Sequence, residues 1–103
     1  MKRIINNKCY NTETAELIAE YWNGVSNEGF RYVYEKLYHT LKGSWFLYAS
    51  GGAMSEYSCS FGNSTSGDTV IIAYNEKQAY NWLEEHDKVN EIEKYFSDKI
   101  VDA

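Results

Sequence analysis

The chain has few residues whose type and spacing could perform catalysis or bind a metal. Its only histidines are His39 and His86, and neither has a second histidine or a cysteine at metal-ligand spacing. A zinc site needs three or four ligands, so we expect packing or helix capping from both. Cys9 and Cys59 lie far apart and form no CxxC motif, which predicts free thiols in a reducing compartment. We predict no metal site and no cofactor.

The glycine- and serine-containing stretch that begins at Gly51 does not match a known catalytic loop. Gly51-Gly52 is followed neither by the spacing nor by the lysine of a phosphate-binding loop. Ser55 lies in A-M-S-E-Y, whereas a nucleophilic serine of the elbow type lies in G-x-S-x-G. We therefore predict no catalytic residue and a protein that is not an enzyme.

Three glutamates are spaced so that a single helix would place them side by side. Glu13, Glu16 and Glu20 are separated by three and four positions, which are neighbouring positions on a helix surface. Paired carboxylates perform acid–base chemistry only in a partly desolvated cleft, and a solvated surface is their usual environment. We expect these glutamates to form a negative surface that meets a basic partner.

The aromatic residues are the strongest indication of a binding role. The chain has 10 Tyr, 4 Phe and 3 Trp, which are difficult to bury in so small a core because tyrosine hydroxyls prefer contact with water. Tyr and Trp are enriched where protein interfaces gain most of their energy. Exposed tyrosines could instead stack on the bases of single-stranded nucleic acid, but this mode of binding also needs a basic groove. The sequence therefore predicts a protein partner and no direct nucleic-acid binding. The residues predicted to bind this partner are Glu13, Glu16, Glu20, Trp22, Tyr32, Tyr34, Glu84 and Glu85.

Length and charge narrow the class of protein. The 103 residues are enough for one domain, with a main body at 1–86 and a helical C-terminal extension at 87–103. The formal charge of −5 disfavours phosphate contacts and favours basic partners, although an acidic surface also serves solubility alone. The sequence contains neither a long apolar segment nor a signal-peptide core. We expect a cytoplasmic protein that does not bind membranes.

The elements that hold these residues are organised around a hairpin. Residues 30–40 and 44–50 alternate in such a way that both faces of each run carry apolar or aromatic side chains. Between them, Leu41-Lys42-Gly43 fits a short turn in which the glycine takes a positive φ. This pattern predicts a central hairpin with aromatic surface on each side, packed against the helix on one side and against a partner or second subunit on the other.

The remaining segments predict secondary structure from local sequence patterns, some of which fit more than one element. Residues 2–10 predict either a short strand or a hairpin with Asn6-Asn7 at the turn. Thr69–Tyr74 predicts a central, covered strand because it is β-branched and continuous. Residues 11–22 fit either a helix capped by Thr12 or a strand that leads into an Asn23-Gly24 turn. We expect helical turns within residues 53–61 and a flexible loop at 62–68.

The C-terminal part predicts helix. Asn75 and Gln78 have the spacing of a capping box, and an apolar stripe follows at helical spacing. One long helix to about Ser97 fits this stripe, and so do two helices broken at His86-Asp87 with Asp87 as the second cap. The stripe consists of Ala79, Trp82, Leu83, His86, Val89, Ile92, Phe96 and Ile100.

Three segments together resemble a group of small proteins carried by bacterial phages and other mobile elements. They are KRIINNKCYNTETAELIAEYWN, LYHTLKGSWFLYASGGAMSEY and AYNWLEEH, and the resemblance covers residues 1–86. The group includes anti-CRISPR inhibitors, which block an RNA-guided nuclease by occupying its basic nucleic-acid channel. The resemblance provides no catalytic residue. It implies a strand for residues 14–22 and a meander of strands crossed by a C-terminal helix.

The expected fold is therefore α+β: an antiparallel sheet of four or five strands built around the central hairpin, with a C-terminal helix packed on one face. The expected function is non-enzymatic inhibition of a bacterial defence nuclease, with acidic and aromatic surface competing with nucleic acid. Two alternatives remain open. One is a small-molecule-binding protein or small enzyme with a pocket lined by Trp45, Tyr48 and Trp82. The other is a homodimer formed through the stripe from Val89 to Ile100.

Overall fold

The computed structural model describes residues 1–24, 32–51, 59–61, 64–66 and 68–101. The strands within these ranges are β1 (Lys2–Ile5), β2 (Lys8–Asn11), β3 (Glu16–Trp22), β4 (Val33–His39), β5 (Trp45–Gly51), β6 (Cys59–Phe61), β7 (Ser64–Ser66) and β8 (Asp68–Tyr74). The helices are α1 (Glu76–Glu85) and α2 (Val89–Tyr95), followed by a 3₁₀ turn (Ser97–Lys99).

Four strands form one antiparallel sheet in the order β3-β4-β5-β8, and β1-β2 and β6-β7 each form a separate two-stranded hairpin. The helices follow the last strand and pack on one face of the sheet. The α+β class, the sheet of four strands and the C-terminal helix on one face are thus confirmed.

The β4-β5 hairpin is the centre of the sheet, as the alternating pattern predicts. Its register places Leu37 opposite Leu47 and His39 opposite Trp45. Gly43 has a φ of 91°, and the Thr40 hydroxyl accepts a 2.9 Å hydrogen bond from the Ser44 N–H. The predicted turn is confirmed. Phe30 and Arg31, which the pattern assigns to the first strand, lie outside the described residues.

Each face of this hairpin contributes side chains to a separate core. On the first face the sheet packs against the helices, and this larger core consists of Ala19, Leu37, Trp45, Leu47, Ala49, Ala79, Trp82, Leu83 and Phe96. On the second face the β1-β2 hairpin helps to form a smaller core of Tyr10, Tyr38, Phe46 and Ile71. The two asparagines of its turn have positive φ values, 49° for Asn6 and 66° for Asn7, which confirms the predicted turn.

Residues 16–22 are a strand, so the helical alternative for this segment is wrong. The segment pairs along its length with β4, which places Ala19 against Leu37 in the larger core. This tertiary pairing overrides the helix preference of its Ala, Leu and Glu residues. The register shifts between Leu17 and Ala19, a β-bulge that changes the face to which the following side chains point.

Three further expectations are corrected by the topology. β8 is a strand, but it lies at the edge of the sheet, where α1 covers one face and the β1-β2 hairpin contacts the other. Cys59–Phe61 and Ser64–Ser66 pair as strands, where we expected helical turns and a flexible loop. Asp68 begins β8, and residues 53–58, 62–63 and 67, including Met54 and Ser55, lie outside the described residues.

The C-terminal segment forms two helices that start from the predicted cap. Asn75 and Gln78 form both hydrogen bonds of a capping box, at 2.8 Å each. The break is at His86-Asp87, where Asp87 has a φ of 54°, and the cap residue of α2 is Lys88 instead of Asp87. None of the helices in the described ranges has the length and apolar character needed to span a bilayer.

Phe96 packs the segment that follows α2 against the sheet. Its side chain is 1% exposed and its ring stacks on Trp45, with 5.4 Å between the ring centroids. Part of the stripe proposed as a dimer surface is therefore used inside the domain, whereas Val89 and Ile100 remain exposed.

We expect Phe96→Ala to lower the free energy of unfolding by about 3–5 kcal/mol, because it removes a fully buried ring. Leu41→Ala is the control: Leu41 is 91% exposed, and its loss should change the free energy by no more than about 0.5 kcal/mol. Urea unfolding followed by tryptophan fluorescence measures both. Equal effects of the two variants would contradict the placement of Phe96 in the core.

Candidate functional site

Among the described residues, the cover on the face of the sheet opposite the helices extends over only part of that face. The β1-β2 hairpin sits on it where Tyr10 meets Phe46 edge to face, with centroids 5.6 Å apart. Arg3 fixes this hairpin to β8 by a 2.8 Å hydrogen bond from Nη1 to the carbonyl oxygen of Ile71. Towards β3 the same face remains accessible, and Trp22 is 54% exposed there.

Four side chains on this accessible part form what we call the open-face cluster: Glu20, Trp22, Tyr34 and Lys36. They are brought together by strand register, since Glu20 lies opposite Lys36 and Trp22 lies opposite Tyr34. Side chains at directly opposed positions of an antiparallel pair are within contact distance. The cluster is therefore a direct consequence of the β3-β4 ladder.

Tyr34 is the member of the cluster with the most defined position. Its hydroxyl donates a 2.6 Å hydrogen bond to Glu20 Oε2, and the ammonium group of Lys36 lies 5.4 Å from its ring centroid. The hydrogen bond to the Glu20 carboxylate, followed by burial and the negative charge of Glu20, raises the pKa of Tyr34 to about 12. Burial also raises the pKa of the neighbouring Tyr38. Contacts on two sides thus hold the Tyr34 ring in place.

The structure divides the predicted binding residues among several places. It brings Glu20, Trp22 and Tyr34 together, and Tyr32 directly precedes β4 and is partly exposed. Glu84 and Glu85 are exposed at the end of α1, on the side of the sheet that faces away from the cluster.

The expected stripe of three glutamates does not form. Glu13 lies in the turn before β3, where its N–H donates to Asn11 Oδ1 at 2.9 Å. Glu16 lies opposite His39 and accepts a 3.0 Å hydrogen bond from the Tyr95 hydroxyl, so it faces the helices. The bulge between Leu17 and Ala19 separates it from Glu20. Only Glu20 therefore belongs to the open-face cluster.

A second candidate site is a cavity of about 360 Å³ between the sheet and the end of α1. The predicted lining is correct for Trp82 and wrong for the other two residues. Trp45 is buried against Phe96, and Tyr48 packs on the opposite face. The residues that line this cavity are Tyr21, Asn23, Val33, Glu35, Tyr74, Trp82, Glu85 and His86.

Glu35 is the chemically notable residue of this cavity. It is 7% exposed and accepts a 3.2 Å hydrogen bond from the indole nitrogen of Trp82. His86 Nε2 lies 3.6 Å from the same carboxylate oxygen, and the imidazole stacks on Tyr21. A buried carboxylate next to an imidazole can bind a cationic group or exchange a proton. The sequence does contain a signal for this site, because Glu35 alternates in phase with Val33 and Leu37 on a core-facing side.

The described ranges contain no group of three or more His, Cys, Asp and Glu residues placed to hold a metal ion. Comparison of the chain with protein-family models, with curated proteins and with solved structures finds no match. The candidate sites are therefore interpreted from their own geometry and charge.

We expect Glu20→Gln to lower the pKa of Tyr34 towards its ordinary value of 10.0, because the substitution removes the negative charge beside the phenolate. The raised pKa means that the folded protein holds this proton more tightly than the unfolded chain. The resulting stabilisation is complete below about pH 10 and disappears as the pH approaches 12. Carbon-13 NMR of the tyrosine rings, assigned with Tyr34→Phe, measures the titration. Identical Tyr34 curves in wild type and Glu20→Gln would contradict this account.

Proposed function

We propose that the chain is a non-enzymatic binding protein that inhibits a bacterial defence nuclease of the RNA-guided type. Its open-face cluster contacts a basic protein surface and competes with nucleic acid for it. The observation that supports this most directly is the exposure of Trp22, at 54%, beside a tyrosine and a carboxylate on a rigid sheet. Tryptophan at the centre of a patch is a frequent energetic hot spot of protein interfaces.

Part of the open-face cluster is held in a fixed conformation before a partner binds, which favours binding. Tyr34 is already held by Glu20 and lies under Lys36, so little side-chain entropy remains to be lost when a partner arrives. Aromatic rings contribute contact area, and the carboxylate contributes specificity for a basic group. A loop surface of the same composition would bind less strongly for equal area.

Charge supports the nature of the partner. The chain carries a formal charge of −5, which repels nucleic acid and attracts the basic channel in which a nuclease holds it. The choice of an RNA-guided nuclease rests on the resemblance of residues 1–86 to small phage and mobile-element proteins. On this proposal the protein acts in the cytoplasm of the bacterial host, where such nucleases work.

A second candidate function is small-molecule binding, or a small enzymatic activity, in the cavity beside Glu35. The proximity of Glu35 and His86, 3.6 Å apart beside a cavity of about 360 Å³, favours it. This function would require Glu35 and would not require Trp22, because Trp22 does not line the cavity. Variants at these two positions therefore distinguish the two functions.

The proposal is tested with a panel of purified, guide-loaded RNA-guided nucleases and measurement of target-DNA cleavage against inhibitor concentration. For the nuclease that is inhibited, Trp22→Ala should raise the half-inhibitory concentration by about 30-fold or more, the effect of losing a hot-spot side chain. Val89→Ala is the matched control, since Val89 is 57% exposed on the helical side. Glu20→Lys should weaken inhibition more than Glu93→Lys, which changes the net charge equally on exposed α2.

Three results would overturn the proposal or part of it. Inhibition of no nuclease in the panel would remove the nuclease as the target. Unchanged inhibition by Trp22→Ala would remove the open-face cluster as the binding surface. Loss of inhibition in Glu35→Gln with full inhibition by Trp22→Ala would favour the second candidate function.

A further inference from the structure

A larger groove lies at the opposite end of β4 from the open-face cluster. It has a volume of about 590 Å³, which is within the usual range of about 300–1,000 Å³ for sites that bind small molecules. The groove runs between the β1-β2 hairpin and the turn of the β4-β5 hairpin. Its lining consists of Asn7, Lys8, Cys9, Tyr10, Asn11, Thr14, Thr40, Leu41, Lys42 and Ser44.

The charge of this groove is opposite to that of the chain. Lys8 and Lys42 line it, and none of the lining residues is a carboxylate, although the chain as a whole carries −5. Within the described part of the chain, neither lysine forms an ion pair. Glu13, the first acidic residue in the sequence, lies in the turn before β3 and does not line the groove. The groove therefore provides two cationic groups that no described side chain neutralises.

Tyr10 gives an independent indication that a ligand belongs here. Its side chain is only 7% exposed, and its hydroxyl forms no hydrogen bond with any described residue. Among the described side chains no polar atom is both fully buried and without a partner, so this hydroxyl must reach the surface. Tyr10 is one of the residues that line the groove. A polar group held in a mostly buried position and open to a groove is suited to bind a ligand oxygen.

We propose that this groove binds a small phosphorylated ligand of nucleoside monophosphate size. The ammonium groups of Lys8 and Lys42 hold the phosphate, and the Tyr10 hydroxyl donates to the ligand. A phosphate monoester is close to doubly negative at neutral pH. It therefore matches the charge of two lysines better than a ligand with a single carboxylate would. The side chain of Leu41, 91% exposed at the rim, provides apolar surface for the body of the ligand.

The proposal is tested by nitrogen-15 NMR titration of the full chain with adenosine 5′-monophosphate, inorganic phosphate and adenosine at low salt. We expect saturable shifts centred on residues 7–14 and 40–44 with the monophosphate, weaker shifts at the same positions with phosphate, and none with adenosine. The double variant Lys8→Gln and Lys42→Gln should lower the affinity for the monophosphate by about tenfold or more. Tyr10→Phe should lower it by a smaller factor at unchanged thermal stability.

The matched control is the double variant Lys77→Gln and Lys99→Gln, which removes the same charge from exposed positions of α1 and the 3₁₀ turn. It should bind the monophosphate as wild type does. Equal losses in both double variants would show unspecific charge attraction and overturn the site. Equal binding of adenosine and its monophosphate, or shifts that do not saturate, would overturn it too. None of these results depends on Trp22 or on nuclease inhibition.

Discussion

The fold depends on one constraint: both faces of the β4-β5 hairpin carry apolar side chains that must be removed from water. On one face Leu37 and Leu47 are fully buried under the helices, and Phe96, which follows α2, stacks on Trp45 of the hairpin. On the other face a hairpin of only two short strands covers Phe46 and Ile71. This second cover is too small for the whole sheet, because each of its strands has four residues. The open-face cluster is the part of the sheet that it leaves accessible.

The open face thus has two chemically different ends. Towards β3 and the start of β4 it presents an aromatic and acidic surface around Trp22 and Tyr34. At the other end of β4, beside the β1-β2 hairpin, it presents a groove with Lys8 and Lys42 and no carboxylate. A protein partner with basic groups suits the first end, and a phosphorylated small molecule suits the second. Both ends rest on the same rigid hairpin, which fixes their positions relative to each other.

Local chemistry explains what could be predicted from the sequence. The φ values of Asn6, Asn7 and Gly43 and the capping box of Asn75 depend on residues close in the chain, and the patterns for these features are confirmed. The edge position of β8 and the bulge after Leu17 depend on pairing between distant segments, which no local pattern reports. The Glu35 cavity and the basic groove arise where separate elements meet. The sequence predicts Glu20, Trp22 and Tyr34 as binding residues, and strand register brings these three together, whereas the bulge separates Glu16 from them.

The central claim is that the open-face cluster is the surface that contacts the partner. Site-specific photocrosslinking tests it most directly, with a photoreactive benzoylphenylalanine placed at position 22 or at position 89 and the inhibited nuclease as the partner. Both positions are more than half exposed, so they differ in location and not in access. The account predicts crosslinks from position 22 to residues of the nucleic-acid channel, and none from position 89. Crosslinks from position 89 with none from position 22 would contradict it.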